Sequence, residues 1–114
     1  MKAINRLRKN EDFRKVYKKR KSMANKLLII YILENGYNFN RVGFTVSKKV
    51  GKSVIRSRVK RLLNESYRLN NEKVKQGYDI IFVARNTCVD ASYKEIESAI
   101  LHLLKKMNLI NSAV

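Results

Sequence analysis

The chain has 114 residues and carries 26 Lys and Arg against 9 Asp and Glu, a formal net charge of +17. Hydrophobic residues make up 45% of the sequence, which predicts one folded domain over residues 1–114 and excludes a basic disordered tail. The longest apolar run, Leu27–Leu33, is far shorter than the ~20 residues of a membrane span. The single cysteine, Cys88, excludes an internal disulfide, and with no recognisable targeting segment it favours a cytoplasmic location.

The positive charge is concentrated in two segments of the chain. Residues 1–21 contain ten basic and two acidic side chains, and residues 41–61 contain eight basic side chains and no acidic one. Such clusters repel each other in a folded protein, and a bound polyanion would neutralise them. Nucleic acid is the usual polyanion, so the charge distribution predicts a nucleic-acid-binding surface.

The first predicted element is a short helix that follows a basic N-terminal arm, residues 1–9. Asn10 is suited to cap this helix, and Asp12 suits the positive end of its dipole. Phe13 and Tyr17 are four residues apart and therefore share one helix face.

Two strands are predicted next. Lys26–Leu33 is rich in Leu and Ile, so we expect it to be covered on both faces of a sheet. Arg41–Ser47 alternates between apolar and polar residues, which is typical of a half-buried strand. The turn sequence Glu34-Asn35-Gly36 between them predicts that the two strands pair as a hairpin.

Two helices and one strand complete the chain. Ser53 is suited to cap a helix that continues to about Leu69, with an apolar side and an opposite basic face. Tyr78–Ala84 is typical of a buried strand, and Ser92 with Glu95 predicts a capping box at the start of a last helix. This order of elements predicts an α+β or α/β sandwich with a small sheet.

The sequence offers little for catalysis. Gly51-Lys52-Ser53 resembles the end of a nucleotide-binding loop, but Val46 stands where that motif needs an earlier glycine. His102 is the only histidine and falls on the side of the last helix away from the core, so it has no partner for acid–base chemistry. Zinc ligands are too few and the carboxylates are scattered. We therefore predict no catalytic residue and no metal site in the protein.

Two binding surfaces remain, and they differ in chemistry. The basic face of the central helix suits phosphate contacts to a folded RNA, and the start of that helix offers backbone N–H groups for a phosphate. Phe13, Tyr17 and Tyr31 lie near the basic residues of the first helix, a combination that suits stacking of unpaired bases. The alternative for these rings is ordinary core packing.

Residues 41–61, RVGFTVSKKVGKSVIRSRVKR, closely resemble the signature region of the bacterial ribonuclease P protein subunit. Arg6-Leu7 and Asp12-Phe13 resemble the N-terminal pattern of that family. The resemblance covers nearly the whole chain. It departs at Ser57, where the family has the Asn of an Arg-Asn-Arg motif. Serine keeps a polar hydroxyl but lacks the amide group of asparagine.

The resemblance implies a single-domain α/β sandwich of the α+β class, with a small mixed sheet and three helices. The implied order is α-β-β-β-α-β-α, similar to domain 2 of ribosomal protein S5. It also implies that the protein binds a catalytic RNA, with one copy of each, and assists it in removing the 5′ leader of precursor tRNA. The RNA requires Mg²⁺ for the hydrolysis, and the protein supplies no catalytic group and binds no cofactor.

The resemblance also assigns site residues. The residues that would bind the catalytic RNA lie on the central helix and the loop before it: Lys48, Lys49, Lys52, Arg56, Ser57, Arg58, Lys60 and Arg61. The residues that would bind the leader are the aromatic ones, Phe13, Tyr17 and Tyr31. Two alternatives remain open at this point, a ribosomal RNA-binding protein with a similar basic surface and a small nuclease that uses His102.

Overall fold

The computed structural model describes residues 4–110, which form three helices and one five-stranded sheet. The elements are β1 (Asn5–Arg6), α1 (Asn10–Lys19), β2 (Ser22–Ala24), β3 (Leu28–Glu34), β4 (Arg41–Thr45), α2 (Ser53–Asn70), β5 (Tyr78–Ala84) and α3 (Tyr93–Lys106). Short 3₁₀ turns follow α2 and β5, at Asn71–Lys73 and Asn86–Asp90. The predicted α+β class, the three helices and their order among the long strands are confirmed.

The strands lie in the order β1-β4-β5-β3-β2, with β5 antiparallel to β3 and parallel to β4. The predicted hairpin between β3 and β4 is therefore wrong, because β5 lies between them. The physical reason is burial: β5 has four consecutive buried residues from Asp79 to Phe82, so it takes the centre of the sheet, where both faces are covered.

The two faces of the sheet are covered to different extents. On one face, α2 and α3 pack against Leu28, Ile30 and Ile32 of β3 to form the main core. On the other face, the ten-residue helix α1 forms a smaller cluster around Val16 and Ile81. Since α1 is short, the β3 residues on its side are only half-buried. The prediction that this strand is covered on both faces was thus only partly right, because the face beside α1 stays partly open.

The helix starts were predicted with mixed success. The capping box of α3 is confirmed, because the Ser92 side chain accepts from the backbone of Glu95 and the Glu95 side chain accepts from the backbone of Ser92. The predicted caps Asn10 and Ser53 are wrong, since each is the first residue of its helix. In both helices the backbone carbonyl of the preceding lysine accepts the first helical hydrogen bonds, so each helix begins at the residue that was predicted to cap it.

Part of the basic N-terminal arm forms an additional strand that was not predicted from the sequence. Asn5 and Arg6 pair in parallel with Arg41 and Val42 of β4, and Leu7 is buried against the α1 side of the sheet. The arm consequently runs along the edge of β4 and leads directly into α1. Residues 1–3 of the predicted arm lie outside the described residues.

Candidate nucleic-acid interface

The first candidate surface is formed by α2 and the loop before it. We call it the α2 surface, defined by Lys48, Lys49, Lys52, Arg56, Ser57, Arg58, Lys60 and Arg61. All of these side chains are exposed except Arg56 and Arg58, which are half-buried. The opposite side of α2 carries Val59 and Leu63, both fully buried in the main core. Core packing therefore fixes which side of the helix presents its cations to solvent.

Arg56 and Arg58 differ from the other cations of this surface because their guanidinium groups donate to backbone carbonyl oxygens of the protein. Arg56 Nε donates to the carbonyl oxygen of Gly51 at 3.2 Å, and Arg58 Nη2 donates to that of Ala91 at 2.7 Å. Arg58 Nη1 is also buried, and no group within residues 4–110 accepts a hydrogen bond from it. These contacts fix the direction of both guanidinium groups beside the exposed part of the surface.

The start of α2 has the features of an anion-binding end. No side chain caps its first turn, so the first backbone N–H groups have no side-chain acceptor. Ser53, Val54, Ser57, Arg58 and Arg61 line an open depression of about 420 Å³ beside this end. Val54 is 79% exposed there, which makes it the most exposed large apolar side chain among residues 4–110.

The second candidate surface is the partly open face of the sheet beside α1. Tyr17 packs edge-on against Tyr31, with ring centroids 4.8 Å apart, and Phe13 lies 6.5 Å from Tyr17. The Tyr17 hydroxyl forms a hydrogen bond with Thr45 Oγ1 at 3.1 Å. All three rings are half-buried. They pack against the smaller cluster and keep exposed area as well, so the same side chains contribute to the core and leave area that a ligand could contact.

Three residues outside the predicted set continue this surface. Ile29, Val83 and Thr45 are half-buried cross-strand neighbours, and they lie on the same face as Tyr31, one row along the sheet. We call the three rings together with this row the aromatic cleft. Ile29 and Tyr31 are two residues apart in one strand, so the sequence could have placed them on the same face. The row that joins Ile29 to Val83 and Thr45 depends on the position of β5, which the sequence did not reveal.

The two surfaces meet at one edge of the sheet. Strands β4 and β5 are parallel, so both of their carboxyl ends lie at this edge. Ser47, Lys48 and Lys49 follow β4, and the exposed Arg85 follows β5 and donates to the carbonyl oxygen of Asn25 at 2.6 Å. Cations of the α2 surface therefore begin where the row of Thr45 and Val83 ends, and Arg85 is a further cation there, outside the predicted set.

Comparison with known proteins decides the family. The family model described as ribonuclease P matches residues 1–108. The chain is 64% identical to the ribonuclease P protein component of Alkaliphilus metalliredigens, over 97% of this chain and 100% of that protein. The chain belongs to the ribonuclease P protein family. A relative from Clostridium botulinum is 57% identical over 94% of this chain and 97% of its own length.

Solved structures of ribonuclease P proteins share the fold. The Staphylococcus aureus protein superposes with a TM-score of 0.85 at 34% identity, covering 93% of this chain and 97% of that one. The Thermotoga maritima protein superposes with a TM-score of 0.82 at 29% identity, covering 90% and 96%. This ribonuclease P protein is thus a subunit of the holoenzyme that processes the 5′ end of tRNA, and the RNA subunit of that enzyme is its partner.

Side chains with catalytic potential are dispersed in this ribonuclease P protein. Within residues 4–110, no three His, Cys, Asp or Glu side chains converge to hold a metal ion. His102 is exposed, and its Nδ1 lies 3.2 Å from the amide nitrogen of Asn25. Cys88 is buried, and burial raises the pKa of its thiol, which disfavours the reactive thiolate. In the same range, no helix is long and apolar enough to cross a bilayer.

The Phe13 ring packs directly against Gly43 of β4. A Cβ atom at position 43 would lie 2.5 Å from Phe13 Cζ, far inside van der Waals contact. Because Phe13 is only half-buried, we expect Gly43→Ala to displace its ring from the sheet and to reshape the aromatic cleft. Crystallography of the variant should show the moved ring. Thermal unfolding should show a modest loss of stability, and an unmoved ring would contradict this role of the glycine.

Proposed function

We propose that this protein binds the catalytic RNA of ribonuclease P through the α2 surface and the 5′ leader of precursor tRNA through the aromatic cleft. The leader is single-stranded, and aromatic rings stack on unpaired bases of any sequence. The α2 surface presents lysines and arginines, which suit the closely spaced phosphates of a folded RNA. One protein and one RNA subunit form the complex.

The observation that carries this proposal is that the two surfaces meet at one sheet edge. A strand of RNA that leaves the aromatic cleft past Thr45 and Val83 reaches Lys48 and Lys49 next, and the chain segment that carries these cations, residues 41–61, contains no Asp or Glu. The protein can therefore hold the leader and the catalytic RNA side by side. This arrangement raises the affinity for precursor tRNA through leader contacts and charge screening.

Bond cleavage belongs to the RNA in this proposal. The proposal assigns the Mg²⁺ that the hydrolysis requires to the RNA subunit, as the family resemblance implies. His102 lies on α3, outside the α2 surface and the aromatic cleft. We therefore expect His102→Ala to leave the rate of the holoenzyme unchanged, and a loss of cleavage at saturating precursor would favour the nuclease alternative.

Reconstitution tests the function directly. The purified protein is combined with a bacterial ribonuclease P RNA at low Mg²⁺, where charge screening by the protein matters most, and leader removal is measured. We expect cleavage to require the RNA and to be stimulated by the protein, with tighter binding of precursor than of mature tRNA. Cleavage by the protein alone after removal of all RNA, or equal affinity for both tRNAs, would overturn the proposal.

A further inference from the structure

Arg41 joins four parts of the fold through its guanidinium group. From β4 it donates to both carboxylate oxygens of Asp79 in β5, at 2.8 Å from Nε and 2.6 Å from Nη2. Its remaining terminal nitrogen, Nη1, donates to Asp12 of α1 at 3.4 Å. Its guanidinium carbon lies 5.2 Å from the ring centroid of Tyr37, in the loop between β3 and β4.

Asp79 holds this guanidinium in a fixed direction. The Asp79 residue is only 3% exposed, and its carboxylate also accepts from the Asn35 amide at 3.0 Å. A bidentate pair of this kind fixes the plane of the arginine as well as its position. The hydrogen bonds to Asp79 raise the pKa of Arg41, so the group stays charged. Asp12 therefore meets a donor that is already oriented, and little side-chain entropy is lost when the contact forms.

The helix that Asp12 anchors packs on a smaller cluster than the other two helices do, beside the β1 pairing that leads into it. Leu7, Val16 and Ile81 are the buried members of the α1 cluster, whereas α2 and α3 share the much larger main core. The hydrogen bond from Tyr17 to Thr45 holds the second half of α1. The bond to Arg41 holds its first turn. An anchor at this position has a large influence on where α1 lies over the sheet.

The anchor is directly next to the aromatic cleft. Asp12 precedes Phe13 in α1. Arg41 is two residues from Gly43, so positions 41 and 43 face the same side of β4, the side that α1 covers. The Phe13 ring rests on Gly43. A shift of the first turn of α1 would accordingly move Phe13 relative to Tyr31, the ring that β3 supplies.

We propose that Arg41 is a positioning residue, which holds the first turn of α1 through Asp12 and thereby sets the separation between the helix-borne and sheet-borne rings that grip the leader. The inference rests on the proposed function of the aromatic cleft. It assigns Arg41, one of the cations of the basic segment 41–61, to the internal geometry of the protein instead of to direct phosphate contact.

The test compares two neighbouring acidic residues of α1 in the reconstituted holoenzyme. Asp12→Ala removes the anchor and leaves the Arg41–Asp79 pair intact. Glu11→Ala is the matched control, because Glu11 is exposed, lies in the same helical turn, and loses the same charge. The measured quantity is the ratio of the dissociation constants for mature and precursor tRNA. We expect Asp12→Ala to lower this ratio by about fivefold, and Glu11→Ala to change it by less than about twofold, as surface charges do.

Rescue separates positioning from an effect of the lost charge. Asp12→Asn keeps an oxygen that can accept from Arg41, so we expect it to restore most of the ratio, whereas a charge effect would leave it as low as in Asp12→Ala. Equal ratios for Asp12→Ala and Glu11→Ala would overturn the inference. If the unaltered protein itself showed no preference for precursor, the proposed function would fail instead, so the two failures are distinguishable.

Discussion

Replacing Tyr17 by alanine is expected to lower the affinity of the holoenzyme for precursor tRNA by about tenfold, within the range of roughly 1–3 kcal/mol per stacked base. Tyr17 is the central ring of the aromatic cleft, since it contacts both Phe13 and Tyr31. Mature tRNA has no leader to stack on these rings, so its affinity should change little. Binding of both tRNAs to the reconstituted holoenzyme, measured at one salt concentration, checks the prediction.

Tyr17→Phe is the control for this substitution. It keeps the ring and removes only the hydrogen bond to Thr45, so we expect it to retain most of the preference for precursor. An equal loss of affinity for precursor and mature tRNA in Tyr17→Ala would assign the ring to core packing alone. Thermal unfolding of both variants shows how much of the change comes from loosening α1.

The helices were predictable because their pattern is local. In α2 and α3 the apolar residues recur at helical spacing, and the structure buries Val59, Leu63, Ile96 and Ile100 on the core side. The pairing of the strands was not predictable in the same way. β4 follows β3 after a short turn sequence, yet it pairs with β5, which comes more than thirty residues later. Burial of β5 on both faces outweighs the local preference for a hairpin.

The same distinction explains which site residues could be found from the sequence. Cations and aromatic rings are recognisable by their chemistry, so the α2 surface and the three rings could be named as candidates, although their contacts with RNA stay predictions. Arg41 looks like one more cation of a basic segment, and its role depends on Asp79 across the sheet. The roles of Gly43 and Thr45 likewise depend on the strand register, which places Gly43 against Phe13 and Thr45 against Tyr17.

The α2 surface gives the second large expected effect, in a comparison of two arginines. Arg61 is exposed, and we expect Arg61→Ala to weaken binding to the catalytic RNA without loss of protein stability. If Arg61 contacts a phosphate, the slope of log affinity against log salt should fall by roughly 0.7–0.9. Binding measured over a range of salt, with thermal unfolding of the free protein, checks both parts.

Arg58→Ala should differ from Arg61→Ala in one respect. Because Arg58 donates to the carbonyl oxygen of Ala91, its loss should also destabilise the protein, by about 1.5–3 kcal/mol, as expected for a hydrogen bond from a charged group. Lys105→Ala, an exposed cation on α3, is the control for loss of one charge away from the α2 surface and the aromatic cleft. If it lowered the salt slope as much as Arg61→Ala did, binding would follow overall charge, and the α2 surface would lose its special role. A fall in stability for Arg61→Ala instead of Arg58→Ala would contradict the contacts that distinguish the two arginines.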